Sequence, residues 1–263
     1  MSYTVDGLVL RIKKTGENDK LLTLLTPNEG RIYVMVKGGR SLKSGSLPAT
    51  QLFAYGNYEI TDRNGFKWLG GASVEHMFSG LSSSVEKVAL ASYFASVAEE
   101  LSDENEPAED ILRLTLNAFF ALENDKKPPA LIKAVFELRA AAQSGFLPDI
   151  EYCRVCKCKD AKDLYLDVMN GCLLCSECMN KASLAAAKVA AKSEDIRDAI
   201  IMIPITQSIA AAMRYAISAP IQRMLAFSLK EDELSDFARA AEAYLLNHIE
   251  HGFDTLDFYK LIS

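Results

Sequence analysis

Hydrophobic and polar positions alternate along the first 75 residues with the two-residue period of β-strands. In residues 31–37 one face carries Ile32, Val34 and Val36, and the other carries Arg31, Tyr33, Met35 and Lys37. Comparable short segments lie at 5–14, 21–26, 53–61 and 67–74, separated by turns rich in Gly, Asn and Pro. Five short antiparallel strands in so few residues predict a small Greek-key barrel of the OB type.

After Gly80 the apolar residues recur every three or four positions, which is the period of an amphipathic helix. The pattern predicts helices at 85–101, 111–122, 128–142, 205–217 and 230–251, with Gly252 as the C-cap of the last one. The closing residues 253–259 are apolar enough to pack back on this helical bundle. The chain is therefore predicted to be an α+β multidomain protein.

Two matched cysteine pairs interrupt the helical region. Cys153 and Cys156 form the first C-x2-C, Cys175 and Cys178 form the second, and 18 residues separate them. This is the spacing of a four-thiolate zinc site, because each turn brings two sulfurs to one ion and two turns complete a tetrahedron. Residues 164–168 between the pairs read as a short strand, and Asn170-Gly171 reads as the turn that leads back to the second pair.

Two further thiols, Cys158 and Cys172, leave alternatives open. The run Cys172-x2-Cys175-x2-Cys178 resembles part of an iron–sulfur motif, but neither Cys nor Pro follows at the positions that such a motif requires. Six free thiols would leave the matched spacing to coincidence. We therefore expect one structural Zn²⁺, held by Cys153, Cys156, Cys175 and Cys178, since a closed four-ligand site has no position for a substrate.

Charge is distributed unevenly along the 263 residues, which carry a net charge of −6 and are 49% hydrophobic. Residues 1–80 hold ten Lys and Arg against seven Asp and Glu, whereas the remainder holds 19 against 28. A basic head on an acidic body suggests that the head binds something anionic. The sequence has no apolar run of membrane-spanning length and no signal-peptide pattern at its start, so a soluble, cytoplasmic protein without a membrane partner is expected.

The basic head also supplies the residue types that bind nucleic acid. Glycines at 38, 39 and 45 flank a basic loop, and aromatic residues stand beside cations at 66–68. Packed aromatics and a solvated loop would explain the same pattern. The candidate DNA-binding residues are Arg11, Lys13, Arg31, Tyr33, Lys37, Arg40, Lys43, Lys67 and Trp68.

Motifs for catalysis are missing from the sequence. His248 and His251 lack the H-E-x-x-H spacing of a zinc protease and are better explained as exposed residues near a helix C-terminus. No G-x-S-x-G elbow occurs. We expect a protein that is not an enzyme.

Several segments together resemble the RecO family of bacterial DNA repair and recombination mediators, and the resemblance runs almost end to end. They are GLVL at 7–10, GENDKLLTLLT at 16–26, GRIYV at 30–34, KGGR at 37–40, FELR at 136–139, GCLLCSEC at 171–178 and YLLNH at 244–248. The string at 16–26 is the most specific of them. Cys158 and Cys172 depart from the family pattern, as does the length of residues 179–203.

The resemblance implies an N-terminal OB-fold barrel, then a helical bundle with an inserted zinc module. The corresponding domains are 1–80 for the barrel, 81–150 and 182–263 for the two parts of the bundle, and 151–181 for the zinc module. It also implies binding of single- and double-stranded DNA, annealing of complementary strands, and partnership with RecR and the single-strand-binding protein, which together load RecA. The implied location is the bacterial nucleoid.

The helical bundle is expected to carry the surface that receives the tail of the single-strand-binding protein. This acidic tail needs an apolar pocket with a few cations, and the stretch 213–224 offers Arg214 and Arg223. The alternative is a core role for Met213, Tyr215 and Met224, with both arginines paired to nearby Asp or Glu. A zinc-stabilised adaptor that binds only proteins is the alternative for the whole chain, and an enzyme with an unrecognised site is the remaining class.

Overall fold

The computed structural model describes residues 2–15, 19–38, 46–181, 201–250 and 252–263. Its contacts divide the chain into two compact units, Met1–Lys126 together with Phe253–Ser263, and Lys127–Gly252. The barrel and the cysteine segment therefore belong to different units. The four-domain division given above stays a prediction.

A closed five-stranded barrel forms the start of the first unit. Its strands are β1 (Ser2–Thr15), β2 (Asp19–Thr26), β3 (Gly30–Val36), β4 (Ala54–Arg63) and β5 (Phe66–Met77). The strand order around the barrel is β1-β2-β3-β5-β4, and β4 pairs again with β1. This is the order of an OB barrel, so the predicted fold is confirmed. The expectation that all five strands are antiparallel is wrong, because β3 and β5 pair in parallel.

Strand β1 links the two halves of the barrel because it is long enough to pair on both sides. Its first half pairs with β4 and its second half with β2, and the register with β2 shifts between Val9 and Arg11. Such a shift bends a strand and increases its twist, which barrel closure requires. The alternation predicted for residues 31–36 is confirmed, since Ile32, Val34 and Val36 are buried inside the barrel.

Three helices complete the first unit. They are α1 (Val85–Glu100), α2 (Glu109–Glu123) and the C-terminal helix α6 (Asp254–Ile262). Ser84 caps α1 by accepting a hydrogen bond from the Lys87 amide. The prediction that the closing residues pack on helices is confirmed, because α6 packs on α1 and Phe253 makes an edge contact with Tyr93 at 5.6 Å.

The second unit contains helices α3 (Pro129–Gln143), α4 (Gln207–Ser218) and α5 (Glu231–Ile249). Helices α3 and α5 pack along each other. Within their contact, Lys133 Nζ lies 2.8 Å from Glu137 Oε1 and 2.7 Å from Glu242 Oε2. The two carboxylates outweigh burial and raise the pKa of Lys133, so this buried lysine stays charged.

The end of α5 differs from its predicted C-cap. Glu250 adopts the left-handed conformation with φ of 58°, so it takes the capping position expected for Gly252. His248 is half-buried rather than exposed, because its ring packs on Tyr244 and Phe146. His251 lies outside the described residues.

A small sheet in the second unit follows α3 and carries the cysteines. It consists of β6 (Asp149–Cys153), β8 (Cys172–Cys175), β7 (Leu164–Asp167) and β9 (Met202–Ile205), in that order across the sheet. The predicted strand near 164–168 and its return through Gly171 are confirmed as the antiparallel pair β7–β8. Residues 176–181 are helical, and residues 182–200 lie outside the described part of the chain. Among the described residues, no helix combines the length and the apolar character needed to cross a membrane.

Candidate metal centre and nucleic-acid interface

The four paired cysteines meet in one cluster. The sulfur atoms of Cys153, Cys156, Cys175 and Cys178 all lie within 4.8 Å of one another. Cys156 Sγ and Cys175 Sγ are 3.7 Å apart. Ligands at 2.3 Å from one tetrahedral ion would be about 3.8 Å apart, so the observed sulfur separation fits a bound metal.

Backbone geometry around the first pair favours thiolates over neutral thiols. The Cys175 amide donates to Cys153 Sγ at 3.3 Å, and Lys157 takes a left-handed φ of 61° directly after the pair. Burial raises the pKa of Cys153, but hydrogen bonds from the Cys156, Cys175 and Val155 backbone outweigh it and bring that pKa to about 6.

The pKa of Cys178 shifts in the opposite direction to that of Cys153. Burial and the neighbouring sulfurs raise the pKa of Cys178 to about 12, because a further negative charge cannot be accommodated beside Cys153. A divalent cation at the centre would remove this conflict by neutralising the thiolates together. The cluster is therefore positioned to hold a metal ion.

The two additional cysteines lie outside the cluster. Cys158 is exposed, and its backbone carbonyl accepts a hydrogen bond from the Cys153 amide at 3.0 Å. Cys172 is buried, with its sulfur 3.8 Å from Arg154 NH1. Burial raises the pKa of the Cys172 thiol. The nearby Arg154 guanidinium lowers that pKa, but it offsets only part of the increase. This arrangement favours the ligand set expected from the spacing of the pairs.

The outer face of β3 and β5 brings several candidate DNA-binding residues together. The parallel pairing of these strands sets Met35 opposite Trp68, and Lys37 Nζ lies 5.5 Å from the centre of the Trp68 ring. Tyr33 and Phe66 are exposed on the same two strands, with 38% and 67% of their surface accessible. Exposed aromatic rings beside a cation are the components of a base-stacking surface. We call Tyr33, Lys37, Phe66 and Trp68 the aromatic face.

A cleft of about 310 Å³ opens next to the aromatic face. Its lining includes Arg31, Tyr33, Phe66 and Lys67, and residues Glu104 and Asn105 from the segment between α1 and α2. Cations and carboxylates therefore share this cleft. Its aromatic and aliphatic walls are suited to a flat, partly polar group such as a nucleobase.

Three of the candidate cations already have acidic or carbonyl partners. Arg11 lies 3.0 Å from the Glu99 carboxylate, Arg31 NH1 donates to the Glu99 carbonyl at 2.9 Å, and Lys67 lies 3.8 Å from Glu29. Lys13 is exposed on β1. Arg40 and Lys43 lie outside the described residues.

The candidate partner residues lie at different places in the second unit. Arg214 donates to the Ile150 carbonyl at 2.8 Å and lines an apolar pocket of about 520 Å³ with Leu147, Ile150 and Ile217. Asp149 and Glu151 also line this pocket. Arg223 is exposed in a short 3-10 helix.

The alternative reading of the residues near these arginines is confirmed for both methionines. Met213 and Met224 are buried in the core, and Tyr215 packs its ring edge-on against Phe227 at 5.6 Å. The apolar wall of the pocket instead comes from Leu147 and Ile150, which sequence reasoning did not select. Glu99 and Glu29, the partners of three candidate cations, were also missed. Charge sign is visible in a sequence, but the pairing of distant charges is not.

Comparison with known proteins extends over the whole chain. Residues 1–78 match the family model described as Recombination protein O N terminal, and residues 82–257 match Recombination protein O C terminal. A protein named DNA repair protein RecO from Acetivibrio thermocellus is 24% identical over 266 residues, covering 100% of this chain and 98% of the relative.

Two further proteins of the same name are similar to this chain. The one from Symbiobacterium thermophilum is 27% identical over 252 residues, covering 91% of this chain and 98% of its own length. The one from Anaeromyxobacter sp. strain K is 30% identical over 175 residues, covering 65% of this chain. With both family models matched in order and full-length relatives aligned along it, the chain belongs to the RecO family.

Proposed function

We propose that this protein is a DNA repair and homologous-recombination mediator that binds DNA through its barrel and catalyses no covalent step. The observation that carries the proposal is the aromatic face of the OB barrel, where Tyr33 and Phe66 are exposed and Lys37 lies against the Trp68 ring. Relatives that share the whole length of the chain are named DNA repair proteins, which supports the same role.

Strand annealing follows from the chemistry of this face. Two complementary strands repel each other through their phosphates, so a protein that unites them must supply cations and release counterions. Aromatic rings can hold bases by stacking while their pairing edges stay accessible to a second strand. The protein thus binds single- and double-stranded DNA and anneals complementary strands at the nucleoid. With RecR it helps load RecA onto DNA coated by single-strand-binding protein.

The metal in this proposal is a structural Zn²⁺. Four sulfurs within 4.8 Å match the all-thiolate tetrahedral sites that zinc occupies in reducing environments. Zinc bound there links β6 and β8, which carry Cys153 and Cys175, to the residues that follow each strand. Its role is to fix the small sheet rather than to contact DNA.

The apolar pocket beside Arg214 is the proposed site for the tail of the single-strand-binding protein. Leu147, Ile150 and Ile217 offer a seat for an apolar terminal residue, and Arg214 offers a cation for its carboxylate. The carboxylates of Asp149 and Glu151 line the same pocket and would repel an acidic tail. The pocket therefore needs a direct test, with Arg223 as the second candidate cation.

One observation favours a second function, that of an adaptor that binds only proteins. Arg11, Arg31 and Lys67 are engaged by Glu99 and Glu29, which reduces the positive charge available on the barrel. DNA binding that falls steeply with salt would separate the mediator from the adaptor, because only phosphate contacts release counterions.

The purified protein should contain one zinc per chain. Cys158→Ser and Cys172→Ser should retain it, since neither sulfur belongs to the cluster, whereas Cys156→Ser should lose it. Elemental analysis of all four proteins provides the measurement. Iron with visible absorbance would support the cluster alternative, and zinc loss from Cys158→Ser or Cys172→Ser would overturn the ligand set.

Cys175→Ser should lower the melting temperature and leave the DNA affinity at 25 °C largely unchanged. Structural zinc contributes on the order of 10 kcal/mol to folding of small finger peptides, and here the helices of the second unit share that stabilisation. Thermal unfolding followed by circular dichroism gives the comparison, with Cys158→Ser as the matched control. A metal-free variant that melts like the wild type would show that the site is dispensable.

Charge reversal of Arg40 and Lys43 should weaken DNA binding and flatten its dependence on salt, by about 0.7–0.9 in the log–log slope for each lost phosphate contact. Tyr33→Ala should weaken single-strand binding with an unchanged slope, because stacking releases no counterions. Fluorescence anisotropy with a single-stranded oligonucleotide measures both effects. Lys126→Glu, at a lysine that stacks on Phe120, is the control that matches the charge change of each single reversal, Arg40→Glu or Lys43→Glu.

An unchanged slope in the Arg40 and Lys43 double variant would place the phosphate path elsewhere, with Lys157, Lys159 and Lys162 of the cysteine segment as the next candidates. No salt-dependent binding by the wild type would instead favour the adaptor.

Arg214→Glu and Arg223→Glu should each weaken binding of an acidic peptide with an apolar, free C-terminal residue. A lost charge-assisted contact is worth about 1.5–3 kcal/mol, or roughly tenfold and more in affinity. Isothermal titration calorimetry measures the change, with Arg239→Glu as control because Arg239 is exposed on α5 and pairs there with exposed Asp236. Equal affinity in both variants would exclude these residues, and Arg214→Gln separates charge loss from loss of the Ile150 contact.

A further inference from the structure

The segment that joins α1 to α2 is fixed against the turn between β2 and β3. The Arg31 amide donates to the Asp103 carbonyl at 3.3 Å, the Asn105 amide to Glu29 at 2.9 Å, and the Ala108 amide to Pro27 at 2.9 Å. Gly30 has a φ of 62° and no room for a side chain, because the Asp103 and Glu106 carbonyls occupy that space. The segment is therefore held on the barrel by backbone contacts that do not depend on its charges.

This segment is strongly acidic. Between the last turn of α1 and the start of α2 lie five carboxylates, at Glu99, Glu100, Asp103, Glu104 and Glu106. Glu104 lines the same cleft as Arg31, Tyr33 and Lys67. The fold thus places fixed negative charge beside the surface proposed to bind a polyanion, which lowers its attraction for phosphate.

Within this acidic segment, Glu99 contacts two of the candidate DNA-binding arginines directly. Its carboxylate lies 3.0 Å from Arg11 NH2, and its carbonyl accepts from Arg31 NH1 at 2.9 Å. The Glu99 side chain is only 13% exposed, whereas that of Arg11 is 61% exposed. The carboxylate is consequently the fixed partner, and the arginine is the partner that can turn toward a ligand.

We propose that Glu99 is a built-in competitor for the phosphate backbone and sets the DNA affinity of the barrel through Arg11. Arg11 must exchange a carboxylate for a phosphate when a strand binds. The net free energy that this contact adds to binding is therefore the difference between the free energies of the two ion pairs. The exchange also returns a partner to Arg11 when the strand leaves, which favours rapid release. This inference rests on the proposed DNA binding and adds its regulation.

Glu99→Gln tests the exchange, because it removes the charge and keeps the shape of the side chain. Single-strand affinity should rise roughly three- to tenfold, the order expected for one charge-assisted contact. The slope of log affinity against log salt should steepen by about 0.7, since in the wild type the carboxylate that Arg11 leaves takes up a cation and offsets the counterion released from the phosphate, whereas the neutral amide of Glu99→Gln takes up none. Fluorescence anisotropy of the full-length protein at several salt concentrations measures both quantities.

Two controls separate competition from a general change in charge or structure. Glu86→Gln removes the same charge from the first turn of α1, about 20 Å along the helix axis and beyond the Debye length at physiological salt. It should leave affinity and slope unchanged. In an Arg11→Ala background Glu99→Gln should have no effect, because the released cation is gone.

The outcomes are distinct for the two proposals. Unchanged or weaker binding by Glu99→Gln, or a gain that persists without Arg11, would overturn the competition and leave the proposed function standing. If Glu99→Gln fails to fold, Glu99→Asp decides in its place. Glu99→Asp moves the carboxylate away from Arg11 by one methylene and should raise single-strand affinity by less than Glu99→Gln does. Unchanged affinity would refute the proposal. Absence of DNA binding by the wild type would refute both the competition by Glu99 and the proposed function.

Discussion

The pairing of β1 with two neighbours is the interaction on which the first unit depends. Because β1 pairs with β4 through its first half and with β2 through its second, it joins the β2–β3 pair and the β4–β5 pair into one sheet. The outer strands of that sheet, β3 and β5, then pair in parallel and close the barrel. The aromatic face exists only because of that contact, since Tyr33 comes from β3, Lys37 directly follows it, and Phe66 and Trp68 come from β5.

The second unit shows the same dependence of a site on strand pairing. Strand β6 ends at Cys153 and β8 ends at Cys175, and their pairing puts Cys153 opposite Leu173. Each C-x2-C turn begins where its strand stops, so the sheet delivers both pairs to one point. Hydrogen bonds to Cys153 favour one thiolate, and a cation would relieve the crowding that disfavours a second thiolate at Cys178. The cysteine cluster thus reflects both the sheet and the electrostatics of the thiols.

Charge on the barrel is balanced rather than simply basic. The excess of Lys and Arg in residues 1–80 suggests an open cationic surface, but Arg11, Arg31 and Lys67 are partly satisfied by Glu99 and Glu29. A nucleic acid that binds there must compete with partners already in place. Under the proposed function, such a balance suits a mediator, which must hold a strand and then release it to another protein.

Local patterns determined a large part of this protein from sequence alone. Alternation in residues 31–37 identified the buried face of β3, and C-x2-C spacing identified the two ligand pairs of the cysteine cluster, because a strand face and a C-x2-C turn each depend on geometry within a few residues. The C-cap at Glu250, the parallel pairing of β3 with β5 and the strand β9 were not predicted. Each depends on contacts between residues distant in sequence, or on a conformation that a non-glycine residue adopts only when its surroundings enforce it. For the same reason, the sequence shows which residues are charged, but only the tertiary structure decides which of them form ion pairs. Arg11 and Glu99 are an example, because they pair although they lie 88 positions apart.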